Sequence, residues 1–138
     1  FQDDFSIHIY SILCGLSAIL GHCYPIFHNF KGGKGAGTAI GVLFSIFPES
    51  ILPALITWMI LLILTGYVGL STIFSSICVV INANFTNKID LNSYISEFSI
   101  ILMIFIIFMH LENIKRMING NENRFEKVML IKKIKDYF

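Results

Sequence analysis

The stretch GHCYPIFHNFKGGKGAGT, residues 21–38, decides how the rest of this sequence is read. It is a polar interruption between two greasy segments. Gly32, Gly33 and Gly35 let the backbone turn with positive φ and approach a ligand closely. Successive backbone N–H groups in such a turn form a concave anion site. Lys31 and Lys34 add two compact positive charges. The apolar run that resumes at Ala36 predicts a helix, and its positive end would point back into the loop. The stretch therefore reads as a phosphate-binding loop, with Lys31, Gly32, Gly33, Lys34, Gly35 and Thr38 as candidate contacts.

Around that loop the chain is built for lipid. Of its 138 residues, 55% are hydrophobic and only 14% are charged, with a mean hydropathy of +0.73. A soluble domain would carry about 25% charged residues. The chain is thus expected to be an integral membrane protein, an all-α, polytopic transmembrane helix bundle. Cys14, Cys23 and Cys78 lie in or beside apolar stretches without metal-like spacing, and read as small buried hydrophobes. The sequence opens on Phe1 with a short acidic lead, Asp3 and Asp4, and no positively charged region followed by a cleavage site, so no signal peptide is read; a fragment starting mid-protein is expected.

A bilayer core about 30 Å thick needs roughly 20 apolar residues in a helix. Residues 5–20 form the first expected span, with Gly15, Ser17 and Ala18 small enough for close packing. His8, within it, is expected to be hydrogen-bonded rather than a ligand. Residues 36–47 are apolar but too short to cross an untilted bilayer, and Pro48 stops them. Residues 50–66 and 70–85 are the next spans, joined through Gly66, Tyr67 and Gly69. Pro53 falls in a first turn, where its missing N–H is harmless. Ser71, Thr72, Ser75 and Ser76 are placed to bond across helices or back to the backbone. After a polar turn at 86–93, residues 94–111 make the last segment, giving about five in all. Residues 1–125 are read as the transmembrane domain and 126–138 as a basic tail.

Lys and Arg set the expected orientation. With alternating segments, one side holds Lys31, Lys34, the Gly66–Gly69 turn and the basic tail, while the other holds Lys88 with Asp3, Asp4, Glu49 and Asp90. The basic side is expected to be cytoplasmic. Two polar clusters, 21–38 and 110–125, then face one compartment. In the second, a helix would put His110, Asn113 and Met117 on one face and pair Glu112 with Arg116 at i,i+4. Gly120 would end it.

Several chemistries are excluded. Lys34 is followed by Gly35, so this is not a Walker-type loop. No histidine has an aspartate five positions on, so the His-x4-Asp acyltransferase pattern is absent. The four histidines lack partners at zinc spacing. No serine sits in a nucleophile elbow.

The two clusters closely resemble signature regions of the PlsY-type glycerol-3-phosphate acyltransferases, bacterial membrane enzymes of phospholipid synthesis. The first family pattern is Gly-His-x-x-Pro-x-Phe-x-x-Phe-Lys-Gly-Gly-Lys-Gly-Val-Ala-Thr. Gly21, His22, Pro25, Phe27, Phe30, Lys31, Gly32, Gly33, Lys34, Gly35 and Thr38 match it. The second is His-x-Glu/Asp-Asn-x-x-Arg followed by Gly and Glu, matched by His110, Glu112, Asn113, Arg116, Gly120 and Glu122. The resemblance implies acyl transfer from acyl phosphate to the 1-hydroxyl of glycerol 3-phosphate, at the bacterial inner membrane, with loops and C-terminus cytoplasmic. It implies no cofactor, metal or nucleic acid. Lys34, His110 and Asn113 are its implied catalytic residues, and His22, Glu112, Arg116, Ser71 and Glu122 support them.

The sequence departs from the family in places. The family has about seven spans, and a further signature region with a phosphate-contacting arginine is expected upstream of Phe1. Gly69 stands where the family usually has a substrate-contacting Ser, and Ser71, Thr72 or a water is expected to compensate. Met109 replaces an Arg; Ala36 and Gly37 replace Val and Ala. The alternatives are a small transport or channel subunit, or an inactive membrane fragment of the acyltransferase. The first would place charged groups mid-span, where only Glu97 comes near.

Overall fold

A computed structural model describes residues 4–86 and 93–126. Among the described residues every regular element is helical. Six α-helices follow in order: α1 (Asp4–Cys23), α2 (Ala36–Ile46), α3 (Ile51–Thr65), α4 (Val68–Thr86), α5 (Ser93–Met109) and α6 (Leu111–Ile118). All five apolar segments read from the sequence are helices. The polar turn expected at 86–93 and the basic tail fall almost wholly outside the described residues, as does the side chain of His8.

Three stretches, Ile9–His28, Pro48–Thr65 and Val68–Phe85, are long and apolar enough to cross a bilayer. α5 and α6 make a fourth if taken as one broken span, bent by 52°. α2, at 11 residues, is about 16 Å long and cannot cross untilted. The bend lies at His110, whose amide is shared between the carbonyls of Ile106 and Ile107 at 3.1 and 3.0 Å. Such bifurcation marks a helix end. There the sequence changes from the apolar run of α5 to the amphipathic LENIKRMI, so the axis turns where the chain stops being soluble in hydrocarbon.

α4 packs against both α3 and α5, and α1 against α2. Hydroxyls tie α4 to α3, as small polar residues do in lipid. Ser75 donates to the Ala54 carbonyl at 2.9 Å, and Trp58 Nε1 to Thr72 Oγ1 at 3.2 Å. Ser71 instead bonds back to Tyr67, just before α4, and Ser76 to Ile73 within it. Ile19, Cys23, Leu43, Val79, Phe98, Leu102 and Ile106 form the shared core. Leu52, Ile56, Ile60, Ile104 and Phe108 remain exposed on the outside of the bundle, as a lipid-facing surface requires.

Between α1 and α2 the backbone passes through Gly35, whose φ of 79° is left-handed. A Cβ there would lie 2.9 Å from Cys23 Sγ and 3.2 Å from Ile19. At Gly41, inside α2, a Cβ would meet nothing within 4 Å. Gly35→Ala should therefore lower stability by about 1–3 kcal/mol. Gly41→Ala should leave it unchanged or raise it by up to about 1 kcal/mol. Thermal unfolding of both variants in detergent micelles checks the contrast; equal effects would contradict it.

Candidate active site

The glycine-lysine stretch is closed onto the end of α1. The Gly32 amide donates to the Cys23 carbonyl at 3.1 Å and the Gly33 amide to the His22 carbonyl at 3.2 Å. These carbonyls belong to the last turn of α1, which has no helical partners of its own to offer them. A Cβ on Gly32 would fall 2.0 Å from the His22 carbonyl oxygen, and one on Gly33 2.3 Å from His22 Nε2. This corrects part of the sequence reading. The amides of Gly32 and Gly33 bond the end of α1 rather than line an anion cradle, and a Cβ is excluded at Gly32 by the His22 backbone and at Gly33 by the His22 ring. The exposed His22 ring covers Gly33.

This closure carries Lys34 towards α6. Lys34 Nζ donates to Asn113 Oδ1. Asn113 Nδ2 donates to Glu122 Oε1 at 2.6 Å, and Arg116 Nε donates to Glu122 Oε2 at 2.6 Å. An ammonium can only donate and a carboxylate can only accept, so the two neighbours fix which end of the carboxamide faces which. The result is a chain of alternating donors and acceptors, Lys34–Asn113–Glu122–Arg116, across residues far apart in sequence. Asn113 and His110 are buried, at 7% and 4% exposure. His110 Nδ1 lies 2.8 Å from the Ile106 carbonyl. A carbonyl can only accept, so Nδ1 carries the proton, and in the neutral ring Nε2 is left as an acceptor.

A second correction concerns pairing on α6. Glu112 does not pair with Arg116. It bonds Lys115 at 2.9 Å on the exposed face, while Arg116 reaches forward to Glu122. The cause is the chain reversal after α6. Gly120 is left-handed at φ 72°, its amide bonds the Met117 carbonyl, and the Asn121 amide bonds that of Arg116. This ending, expected from the sequence, swings residues 121–125 back across the bundle and brings Glu122 under Arg116.

Ser71 is a third correction. It is fully buried and donates to the Tyr67 carbonyl at 2.9 Å, so its hydroxyl points along its own helix. Thr72 lines an apolar cavity and donates to the Val68 carbonyl. Neither takes the place of a side chain at position 69. Instead, Gly69 packs under Asn113: a Cβ there would lie 3.1 to 3.2 Å from Asn113 Cβ, Cγ and Nδ2. Thr38, in the first turn of α2, lines an open groove of about 710 Å³ between α1 and α2. Lys31 is exposed at the base of the loop.

Two functional neighbours are not apparent in the sequence. Arg124 stacks 4.8 Å from the centroid of the Tyr67 ring and donates from Nε to its hydroxyl at 2.8 Å. The Phe125 amide donates to the Gly66 carbonyl at 2.8 Å. Together they strap the 121–125 segment to the α3–α4 turn, which holds Glu122 in place. Read alone, Arg124 is one more tail cation and Tyr67 one more turn residue. Below the cluster, a cavity of about 330 Å³ runs between α2, α3, α4 and α5, from Ala36 and Gly37 past Leu43, Trp58 and Val79 to Ile106. Its lining is almost wholly apolar.

A sequence profile described as glycerol-3-phosphate acyltransferase matches residues 3–120. The chain belongs to the glycerol-3-phosphate acyltransferase family. Among curated relatives, glycerol-3-phosphate acyltransferase 2 of Bacillus anthracis is 39% identical over 114 residues, covering 82% of this chain and 57% of that one. The glycerol-3-phosphate acyltransferase of Aquifex aeolicus is 37% identical over 111 residues, 80% of this chain and 56% of that one. The fold is similar to the crystal structure of PlsY, an integral membrane glycerol 3-phosphate acyltransferase, in its glycerol 3-phosphate form. The TM-score is 0.74 at 36% identity, covering 83% of this chain and 56% of that one. The lysophosphatidic acid form aligns with the same score. The chain spans little more than half the length of the relatives it matches. With its apolar helices, it is a multi-pass membrane protein of this family.

The Arg116 guanidinium holds the Glu122 carboxyl below the usual carboxylate range; partial burial opposes this, and Asn113 and Lys34 assist it. A lowered folded value means that these contacts stabilise the fold above the ordinary glutamate value of about 4.3. The stabilisation is lost as pH falls through the lowered value. Carbon NMR of the Glu122 carboxyl should show a midpoint below that of an exposed glutamate, and Arg116→Ala should raise it. An unshifted midpoint would remove Glu122 from the cluster.

Proposed function

We propose that this chain transfers a fatty acyl group from acyl phosphate to the 1-hydroxyl of glycerol 3-phosphate. The products would be lysophosphatidic acid and inorganic phosphate, in an early step of phospholipid synthesis. The observation that carries this reading is the Lys34–Asn113 contact, which joins the lysine-bearing loop to the helix following His110. It does so beside a cavity that suits an acyl chain.

Both substrates carry phosphate. Lys34 and Lys31 are the cations nearest in sequence to the start of α2, whose first amides have no helical acceptors and favour negative charge. In the reaction, the glycerol oxygen attacks the acyl carbonyl carbon. Charge gathers on the carbonyl oxygen and then on the bridging oxygen as its bond to the acyl carbon breaks. Phosphate leaves with the electron pair, and a phosphate oxygen of the substrate takes the hydroxyl proton. Lys34 stabilises the developing charge, a role that gains strength where water is excluded. His110, held through Nδ1, offers Nε2 to orient the glycerol hydroxyl, and Asn113 is the second orienting group. Glu122 and Arg116 keep Asn113 in position. His22 seats the Gly33 turn, and Glu112 braces the outer face of α6 through Lys115. Acyl phosphate is already activated, so the proposed reaction calls for no cofactor or metal.

The setting is the bacterial inner membrane, with lipid as the partner of the bundle's outer face. The Lys and Arg asymmetry supports cytoplasmic placement of residues 21–38 and of the C-terminal segment.

Membranes carrying this chain should release phosphate from acyl phosphate only when glycerol 3-phosphate is present. Lys34→Ala should cut that rate by a factor on the order of 10²–10³. Near-normal turnover in the variant would contradict the role given to Lys34.

A further inference from the structure

The loop that closes onto α1 has a tip that the site does not use. Between Tyr24 and Gly33 the chain makes a compact finger. The His28 and Phe30 amides both bond the Pro25 carbonyl, at 3.1 and 3.0 Å, and the Lys31 amide bonds that of His28 at 3.1 Å. Gly32 and Gly33 pin its base to the end of α1. The backbone is left-handed at two consecutive non-glycine residues, Asn29 at φ 53° and Phe30 at φ 57°. Such residues persist only where the surroundings hold them. The outcome is a rigid tip that presents Ile26, Phe27 and Phe30 to the outside, with exposures of 72%, 97% and 61%.

Apolar side chains this exposed need a covering medium. Several observations identify it. The finger continues directly from α1, and the apolar stretch Ile9–His28 is itself long enough to cross a bilayer, so the tip lies at the depth where a span ends. Its composition is that of a membrane interface: Tyr24, Phe27 and Phe30 with His28 and Asn29 between them, which suits neither bulk water nor hydrocarbon. Its base carries the exposed Lys31, complementary to anionic headgroups.

We propose that the 24–31 finger is an interfacial anchor, inserting Ile26, Phe27 and Phe30 into the headgroup–acyl boundary of the leaflet on the side of the Lys34–Asn113 cluster. Because the finger is preformed, insertion orders nothing further. It fixes the depth of Lys31 and Lys34 relative to the lipid. If the acyl-transfer reading also holds, an amphiphile with its chain in the bilayer meets these lysines at headgroup level; the anchoring itself does not depend on that reading.

The test is depth-resolved fluorescence on the full chain in phosphatidylethanolamine–phosphatidylglycerol vesicles. Trp58 is the sole tryptophan, so Phe27→Trp is made in a Trp58→Phe background, with Phe30→Trp as a second probe. Phe27 contacts so little of the protein that its replacement leaves the fold intact. Both probes should give blue-shifted emission. They should lose most of it to lipid brominated high on the acyl chain, and less to lipid brominated near the chain end or to aqueous acrylamide. Strong acrylamide quenching with red-shifted emission would place the finger in water and overturn the proposal. Blue-shifted emission quenched by neither agent would mean that protein covers the tip, and would overturn it equally. Because no substrate is used, a failure here is separate from a failure of the acyl-transfer assay.

Discussion

One hydrogen bond, from the Lys34 ammonium to the Asn113 carboxamide oxygen, sets the geometry of the candidate site. It joins a loop after the first helix to a helix after the last apolar one. Its geometry is set from both sides. Gly32 and Gly33 pull the loop against α1, Gly35 sends the chain into α2, and Lys34 is delivered from the short stretch between. On the far side Glu122 takes the other end of the Asn113 amide, and is itself held by Arg116 and by the strap at Arg124 and Tyr67. A lone lysine at a membrane surface is a mobile point charge. One whose partner is buried and fixed is a positioned hydrogen-bond donor.

The glycines show why the loop sequence is so restrictive. Gly-Gly before a lysine and Gly after it suggests a phosphate cradle, and the left-handed Gly35 fits that idea. The two amides of Gly32 and Gly33 are nevertheless used within the protein. Gly32 lacks a side chain because a Cβ would strike the His22 carbonyl, and Gly33 because one would strike the His22 ring. Under the proposed function, anion binding would then rest on lysine charge and on the start of α2 more than on a nest of glycine amides. The same economy recurs at Gly69, which leaves space for Asn113 instead of contributing a hydroxyl.

Much of this was legible in the sequence because lipid imposes simple rules. Backbone groups must be satisfied within a segment, so apolar runs of sufficient length are helices. All five apolar segments follow from that, as do the stop at Pro48 and the reversal at Gly120. His110 and Asn113 were recognisable as inward-facing because they sit one helical turn apart. What the sequence did not disclose were contacts made after a chain reversal. Arg116 has Glu112 at i−4, the expected pairing, but Gly120 brings Glu122 closer and in better geometry. Local spacing rules describe a straight helix and are blind to what folds back on it. The Arg124–Tyr67 strap escaped for the same reason. Ser71 misled because a serine in an apolar helix can satisfy itself on its own backbone.

Under the proposed function, Lys34 and Asn113 act as one unit in receiving a phosphate-bearing substrate. The most direct measurement is a double-mutant cycle on glycerol 3-phosphate affinity, by calorimetry on the purified chain with Lys34→Met, Asn113→Ala and both together. Each single change should remove most of the affinity, and the double variant should be little worse than either, a strongly non-additive cycle. Additive losses, or affinity unmoved by either change, would contradict it.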